Sequence, residues 1–281
     1  MIELSNSNVR IVVNPFGAEL TELTIGSREN LLWKPNNFHW NRVAPHLFPI
    51  VGRLKNNEFK VDEKTFQMTQ HGFARDEEFS LVEKSSSSLI FELKSTEKTK
   101  EKYPFEFSFR VHYILKDNGV EVVYETSNLG KTDMYYSVGA HPGFQLNDDL
   151  EHYYLAFDTN GPVERQVLKN AHYNGETEHV SIPEKWYLSD DLFEEDAFVV
   201  FNPAFKTIEL GHRTKGKLVK LSTENMAAIG FWTRKGAPFF CIEPWWGYAD
   251  IENASGVLSE KAGIRCLKEG ESEKLSYSIC V

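Results

Sequence analysis

The sequence predicts an all-β fold, a single large antiparallel sandwich that spans residues 1–281. Residues 105–113 alternate apolar and polar side chains, and this period of two is typical of a strand with one buried face. The turn at residues 116–119 then leads into a second alternating run, as in a β-hairpin. No long segment has helical periodicity, and β-sandwiches of more than 200 residues often form one domain.

The individual strand candidates are short runs rich in apolar residues and separated by turns or polar loops. In chain order they are residues 9–13, 20–25, 59–62, 65–68, 79–82, 89–93, 105–113, 120–124 and 237–243. The best helical candidate is the short segment 192–195. Residues 147–191 are polar and rich in loops, but the aromatic residues Tyr153, Tyr154 and Phe157 indicate that this segment packs onto the same body.

Composition and charge exclude several classes of function. Hydrophobic residues make up 41% of the chain, enough for a sizeable core. The formal net charge of -10 argues against nucleic acid or an anionic membrane as the main partner, although a local pair of arginines could still hold a small anion. The N-terminus lacks the features of a signal peptide, and no apolar run reaches the length of a membrane helix.

The number and spacing of the cysteines bear on the redox environment of the protein. Cys241, Cys266 and Cys280 are odd in number and widely spaced, which is not the pattern of a disulfide framework or a zinc site. We therefore expect reduced thiols in a cytoplasmic protein. The sequence is compatible with either a monomer or a homodimer.

Two polar residues interrupt apolar surroundings and are the first candidates for chemistry. Glu243 ends the run of residues 237–243, and His141 lies between small residues and a proline turn. A shielded carboxyl and a shielded imidazole are suited to proton transfer. Each residue alone is equally consistent with a structural role, as a paired buried carboxylate or as a histidine bonded to a carbonyl.

Two further segments carry candidates for ligand binding. Arg53 follows an apolar run and a glycine, and taken alone it is best interpreted as an arginine that reaches solvent. His71 and Arg75 lie close together in residues 70–76. Arginine binds phosphate bidentately, but an ion pair of Arg75 with an adjacent carboxylate, Asp76 or Glu77, is the simpler expectation.

Taken in order along the chain, these segments resemble the aldose 1-epimerase (galactose mutarotase-like) family, and its LacX-like branch in particular. The resemblance extends from Leu32 to Asp250. It implies a large β-sandwich of the galactose mutarotase type with an open carbohydrate cleft. It also implies interconversion of the α and β anomers of an aldose or aldose phosphate without a metal or organic cofactor. The only partner it implies is a small sugar or sugar phosphate.

The resemblance assigns a role to each candidate. Glu243 matches the family's general base, and His141 matches its general acid, on opposite sides of one sugar-sized hollow. His71 matches a second active-site histidine, and Arg53 matches a substrate-binding arginine. Asp196 matches the sugar-binding aspartate, with Asp190 or Asp191 as other possible counterparts.

Departures from the family pattern lie near the expected sugar pocket. Gly52 replaces the usual asparagine before Arg53, and the segments after Glu243 and His71 differ from those of the galactose enzymes. These changes affect the expected sugar specificity and leave the acid–base pair intact. Trp232, Trp245 and Trp246 could offer apolar faces to a sugar, although each is also a good candidate for the core.

Three alternatives compete with the epimerase hypothesis. A glycosidase needs two separated carboxylates, which Glu243 and Asp196 could supply, but the histidines would then have no clear task. A metal site could use His71, His141 and Glu243, but no compact ligand spacing supports it. A non-catalytic sugar-binding or sugar-sensing protein on the same fold is the principal rival.

Overall fold

The computed structural model describes residues 1–159, 161–169, 172–194 and 196–281. Strands dominate these residues, and all nine strand candidates overlap an observed strand. The strands are β1 (Ile2–Ser5), β2 (Val9–Asn14), β3 (Glu19–Ile25), β4 (His46–Leu47), β5 (Glu58–Val61), β6 (Lys64–Gln67), β7 (Ser80–Lys84), β8 (Ser88–Lys94), β9 (Phe107–Lys116), β10 (Gly119–Asn128), β11 (Met134–Tyr136), β12 (Val138–Ala140), β13 (Gly143–Gln145), β14 (Tyr153–Phe157), β15 (Gly161–Lys169), β16 (His172–Ile182), β17 (Trp186–Tyr187), β18 (Phe198–Phe201), β19 (Thr207–His212), β20 (Gly216–Thr223), β21 (Ala228–Trp232), β22 (Phe239–Trp246), β23 (Arg265–Leu267) and β24 (Ser272–Cys280).

Helical segments are few and short. The α-helix α1 covers Glu97–Lys100, and the 3₁₀ turns are Lys55–Asn57, Ala74–Asp76, Leu150–His152, Asp190–Phe193 and Leu258–Glu260. The helix expected at residues 192–195 is thus a 3₁₀ turn that begins two residues earlier, and Glu195 lies outside the described residues. Among the described residues, no helix has the length and hydropathy needed to cross a bilayer.

Two large sheets form the body of the molecule. One has nine strands in the order β17-β14-β19-β20-β24-β10-β9-β8-β7. The other has eight, in the order β16-β15-β18-β21-β22-β12-β4, with β13 also paired to β22. Three smaller sheets, β1-β2-β3, β5-β6 and β11-β23, complete the fold. Neighbouring strands pair antiparallel, which confirms the predicted fold class.

The core lies between the two large sheets. Alternate residues of β9 and β10 are buried and the residues between them are half-exposed, as expected for a sheet with one covered face. Phe109 of β9 stacks on Phe48 at a centroid distance of 4.3 Å, and Tyr124 of β10 meets Trp246 of β22 edge-on at 6.1 Å. Burial of each such side chain stabilises the fold by roughly 1.5–3 kcal/mol.

Both faces of β22 are buried, as are both faces of β12 beside it. Phe240 and Ile242 face the core, while Phe239 and Cys241 pack in a separate cluster on the opposite face. Glu243 shares that opposite face, since its carboxylate lies close to the Cys241 thiol. The shared face that the period of two predicts for residues 239, 241 and 243 is confirmed.

The segment 147–191 contains more regular structure than the sequence indicates. β14 joins the nine-stranded sheet, and β15 and β16 form a long hairpin at the edge of the eight-stranded sheet. Many residues described on this hairpin are polar and exposed, such as Glu164, Glu176 and Glu178, and the apolar alternation that marks a strand is missing there. Tyr153 and Tyr154 are buried as expected.

Candidate active site

A cleft of about 300 Å³ opens on the face of the eight-stranded sheet that lies away from the core. Its walls combine aromatic, cationic and acidic side chains, which suits a ligand with both apolar and polar surface. The lining residues are Trp40, Gly52, Gln70, His71, Arg75, His141, Tyr173, Asp196, Ala197, Trp232, Arg234, Glu243, Trp245 and Ala249.

Glu243 and His141 lie side by side at the floor of the cleft. Glu243 belongs to β22, and His141 follows β12, which pairs with β22 in the same sheet. Glu243 Oε2 is 3.2 Å from His141 Nε2. Both side chains are largely buried, at 2% and 10% exposure. They share one hollow as expected, but they are in direct contact and not on opposite sides of it.

Burial favours the neutral form of both groups. Desolvation raises the pKa of the Glu243 carboxyl well above its usual range, and the charge of Asp196 adds to this effect. Desolvation also lowers the pKa of His141 to about 3, with a further contribution from the charge of Arg75. These opposite directions of the pKa favour a proton on Glu243 over one on His141.

Aromatic rings enclose His141. Trp40 stacks on its imidazole at a centroid distance of 4.9 Å, and Trp232 meets it edge-on at 5.6 Å. Trp232 and Trp245 line the cleft, whereas Trp246 faces the core. No sequence pattern indicates the role of Trp40, because it lies in an irregular loop about a hundred residues from His141.

The local backbone fixes the orientation of His71. Gly52 donates its N–H to His71 Nδ1 at 3.1 Å, and the His71 N–H donates to the Gly52 carbonyl at 2.8 Å. Nδ1 is therefore an acceptor, so the proton of the neutral imidazole is on Nε2. Burial lowers the pKa of His71 and keeps the ring neutral. His71 has a φ of +68°, a backbone conformation that costs ~1–3 kcal/mol outside glycine.

Glycine at position 52 is required by its surroundings. Its φ is +76°, and a Cβ there would lie 2.5 Å from the Cβ of Ala249. The loop after β22 thus packs directly on the backbone that carries Arg53.

Two arginines lie on the same side as His71. Arg53 Nη2 donates to the Gln70 side-chain oxygen at 3.2 Å, and Arg75 Nη2 donates to the Gln70 carbonyl at 2.6 Å. The expected ion pair of Arg75 with a neighbouring carboxylate is wrong. Asp76 pairs instead with Arg42 at 2.7 Å.

Glu77, the other acidic neighbour of Arg75, is also engaged elsewhere, with Lys98 at 3.7 Å. Desolvation lowers the pKa of Arg75 to about 10, which still leaves it charged at neutral pH. The cleft thus holds an arginine with no acidic partner among the described side chains.

Asp196 lies at the rim of the cleft, in the loop that follows the 3₁₀ turn Asp190–Phe193. Its side chain is partly exposed, yet desolvation by its neighbours raises its pKa, against the lowering effect of Arg53 and Arg234. Of the three aspartates considered, Asp196 is the one that lines this cleft. Asp190 lines a separate hollow, and Asp191 is exposed.

Three potential metal ligands cluster at the floor of the cleft. Donor atoms of His141, Cys241 and Glu243 all lie within 4.8 Å of one another, a set that differs from the one considered from sequence because Cys241 takes the place of His71. Burial raises the pKa of both the Cys241 thiol and the Glu243 carboxyl. Metal ligands must be deprotonated, so a cation held here would have to displace the protons of both groups.

Comparison with known proteins agrees with this geometry. A family model described as aldose 1-epimerase matches residues 1–279, a longer stretch than the motifs alone span. The chain is 27% identical to the plasmid-encoded protein LacX of Lactococcus lactis subsp. lactis, over 100% of this chain and 99% of that protein.

Solved structures give the same result. A galactose mutarotase related enzyme from Lactobacillus acidophilus has a TM-score of 0.95 and 33% identity, over 99% of this chain and 96% of that one. A galactose mutarotase-like protein from Lactobacillus casei has a TM-score of 0.94 and 27% identity, over 100% of this chain and 99% of that one. The protein therefore belongs to the aldose 1-epimerase family.

Proposed function

We propose that this protein is an aldose 1-epimerase that interconverts the α and β anomers of an aldose or aldose phosphate. In this proposal residues 1–281 act as one carbohydrate-active domain, with Glu243 and His141 as its proton-transfer pair. The observation that carries the proposal is the 3.2 Å contact between these two side chains at the floor of an open, sugar-sized cleft.

The reaction opens the sugar ring and closes it again. Glu243 takes the proton of the anomeric hydroxyl, the O1 electron pair forms the aldehyde, and the bond between C1 and the ring oxygen breaks. His141 gives a proton to the ring oxygen. Rotation about the bond between C1 and C2 presents the other face of the aldehyde, and closure with the roles reversed yields the other anomer without net consumption of protons.

Direct contact between the two groups suits this chemistry. The hydroxyl oxygen that loses a proton and the ring oxygen that gains one are both bonded to C1, so an acid and a base that act on them must be neighbours. Each positioned group contributes about 10²–10⁴-fold in rate. That is sufficient for a reaction that already proceeds in water.

The proton of the pair must move before it can act in these roles. The pKa directions favour a proton on Glu243, whereas the proposed reaction starts from a carboxylate and an imidazolium. The two states contain the same number of protons and differ by one transfer across 3.2 Å. Sugar hydroxyls that donate to the carboxylate favour its ionised form, so in this proposal substrate binding completes the transfer.

Other residues that line the cleft hold the sugar, together with Arg53, which lies beside the lining residues. His71 presents an Nε2–H donor and Arg53 a guanidinium on one side, suited to the ring oxygen or a neighbouring hydroxyl. Asp196 accepts from sugar hydroxyls at the rim, because a carboxylate is a strong acceptor. Trp232 and Trp245 cover the carbon–hydrogen faces of the ring.

Exchange spectroscopy by proton NMR at anomeric equilibrium tests the proposal. The wild-type protein should accelerate exchange between the two anomers of at least one aldose in a panel of glucose, galactose and their 6-phosphates. If the protein binds members of the panel but accelerates none of them, the epimerase proposal fails and a sugar-sensing role replaces it.

A further inference from the structure

Two neighbouring segments of the eight-stranded sheet bring three different metal-binding side chains to one place. Cys241 and Glu243 share a face of β22, and His141 leads into β13, where Gly143 pairs with Cys241. One donor atom from each of the three side chains lies within 4.8 Å of the other two. Because the sheet holds both backbone segments, the fold itself keeps these donors together.

The separations of the donor atoms are close to those that a tetrahedral zinc ion requires. Bonds of about 2.0–2.3 Å from zinc to oxygen, nitrogen or sulfur place neighbouring ligand atoms about 3.3–3.8 Å apart. His141 Nε2 and Glu243 Oε2 are 3.2 Å apart. Since no separation in the set exceeds 4.8 Å, the thiol has to move by only roughly 1 Å to complete the set.

The donor types determine which ions the cluster suits. A thiolate and an imidazole beside one carboxylate are ligands for zinc or cadmium, whereas magnesium and calcium take oxygen ligands. With a neutral imidazole, the thiolate and the carboxylate balance the double positive charge, which matters because all three side chains are buried. Binding forms bonds from the ion to sulfur, nitrogen and oxygen, and the thiol and carboxyl protons pass to solvent.

The cleft gives an ion access to this cluster. His141 and Glu243 line the cleft, whereas Cys241 is fully buried in the cluster that contains Trp33 and Phe239. An ion that enters the cleft therefore meets the imidazole and the carboxyl first, with the thiol as the third ligand. Three protein ligands leave one position of a tetrahedral ion free for a further ligand from the cleft.

From this donor set and its position, we propose that His141, Cys241 and Glu243 bind zinc or cadmium, and that the bound ion inhibits the protein. The binding site is independent of the proposed epimerase function, whereas the inhibition rests on it. An ion bonded to His141 and Glu243 occupies the lone pairs that proton transfer uses, so neither group can act as acid or base. Cys241 has no part in the proposed reaction and is the residue that makes the reactive centre sensitive to these metals.

Calorimetric titration of chelator-treated protein tests the site without reference to activity. Zn²⁺ should bind the wild type saturably with one ion per chain, and Mg²⁺ should give no saturable binding. Cd²⁺ should produce an ultraviolet absorption band from charge transfer between thiolate and metal. That band reports a bond to sulfur.

Substitution of single cysteines locates the bond. Cys241→Ser should weaken Zn²⁺ binding by at least about ten- to a hundredfold, because loss of even an outer partner of a metal ligand has this effect. It should also remove the Cd²⁺ band. Cys266→Ser removes an exposed thiol and should retain both the affinity and the band. Cys241→Ala provides a second variant at the buried position, and thermal unfolding verifies that each protein is folded.

Anomeric exchange measured with and without Zn²⁺ tests the inhibition. Saturating Zn²⁺ should suppress exchange by the wild type and by Cys266→Ser, and a chelator should restore it. At the same concentration, Cys241→Ser should keep most of its own metal-free rate.

The outcomes separate the two parts of the proposal. Absence of saturable Zn²⁺ binding, or equal binding by the wild type and Cys241→Ser, would overturn the site. Undiminished exchange by the zinc-saturated wild type, or exchange that depends on added Zn²⁺, would overturn the inhibition. If Zn²⁺ binds as expected but the metal-free protein accelerates exchange of no sugar, the site stands and the epimerase proposal fails.

Discussion

In the proposed mechanism Glu243 is the general base, so its replacement by glutamine should separate catalysis from folding. Glutamine has nearly the same size as the protonated acid but cannot accept the anomeric proton. General-base catalysis contributes about 10²–10⁴-fold, so Glu243→Gln should raise the barrier by about 3–5 kcal/mol. Anomeric exchange measured by proton NMR at a fixed enzyme concentration reports this loss directly.

The same substitution should not weaken the fold at neutral pH. Because burial raises the pKa of Glu243 in the folded state, ionisation favours the unfolded chain, and the wild type loses stability as pH rises past the ordinary value of 4.5. The glutamine variant lacks this loss. Urea unfolding at pH 5 and pH 8 should therefore show the variant gaining stability relative to the wild type at the higher pH.

A second glutamate–histidine pair provides the matched control. Glu125 Oε2 lies 2.9 Å from His112 Nε2 on the nine-stranded sheet, outside the cleft. Glu125→Gln should leave anomeric exchange within about threefold of wild type, well below the loss expected for a catalytic base. A folded Glu243→Gln protein with wild-type exchange rates would refute the reasoning, because the carboxylate would then not be the base.

Three further predictions concern the scaffold. His46 is fully buried and its folded pKa is lowered to about 4 from 6.5. The free energy of unfolding should therefore fall by about 3 kcal/mol as the pH falls across that window. Urea titrations at pH 7 and pH 4.5 should show a smaller fall in the free energy of unfolding for His46→Gln than for the wild type. Gly52→Ala should lower the free energy of unfolding by about 1–3 kcal/mol more than Gly236→Ala. The two positions have φ of +76° and +71°, but a Cβ meets other atoms only at Gly52, so equal losses would contradict the close packing. A thiol reagent followed by mass spectrometry should label exposed Cys266 in the native protein and Cys241 only on unfolding, because burial raises the pKa of the Cys241 thiol.

Sequence patterns were a good guide wherever a short pattern has a fixed geometric meaning. A period of two predicts that Glu243 and Cys241 share one face of a strand, and their side chains do lie together on that face. The family motifs identified Glu243, His141, His71 and Asp196, and all four line one cleft.

Contacts between distant parts of the chain could not be foreseen in the same way. Adjacent residues suggested that Arg75 pairs with Asp76, but the fold brings Arg42 from 34 residues away to occupy that carboxylate. Trp40 covers His141 from a loop with no periodicity. Direct contact between Glu243 and His141 is also a result of tertiary structure, because it depends on β12 pairing with β22.

The division of the cleft between strands and loops has a consequence for how such proteins diversify. Glu243 is embedded in β22, where its neighbour Ile242 forms part of the core, so a change there endangers folding as well as chemistry. Arg75 and Asp196 come from a 3₁₀ turn and an irregular loop, which tolerate substitution better. If the protein acts on sugars as proposed, laboratory selection for a new sugar should therefore yield mutations concentrated in these connecting segments, with Glu243 and His141 unchanged.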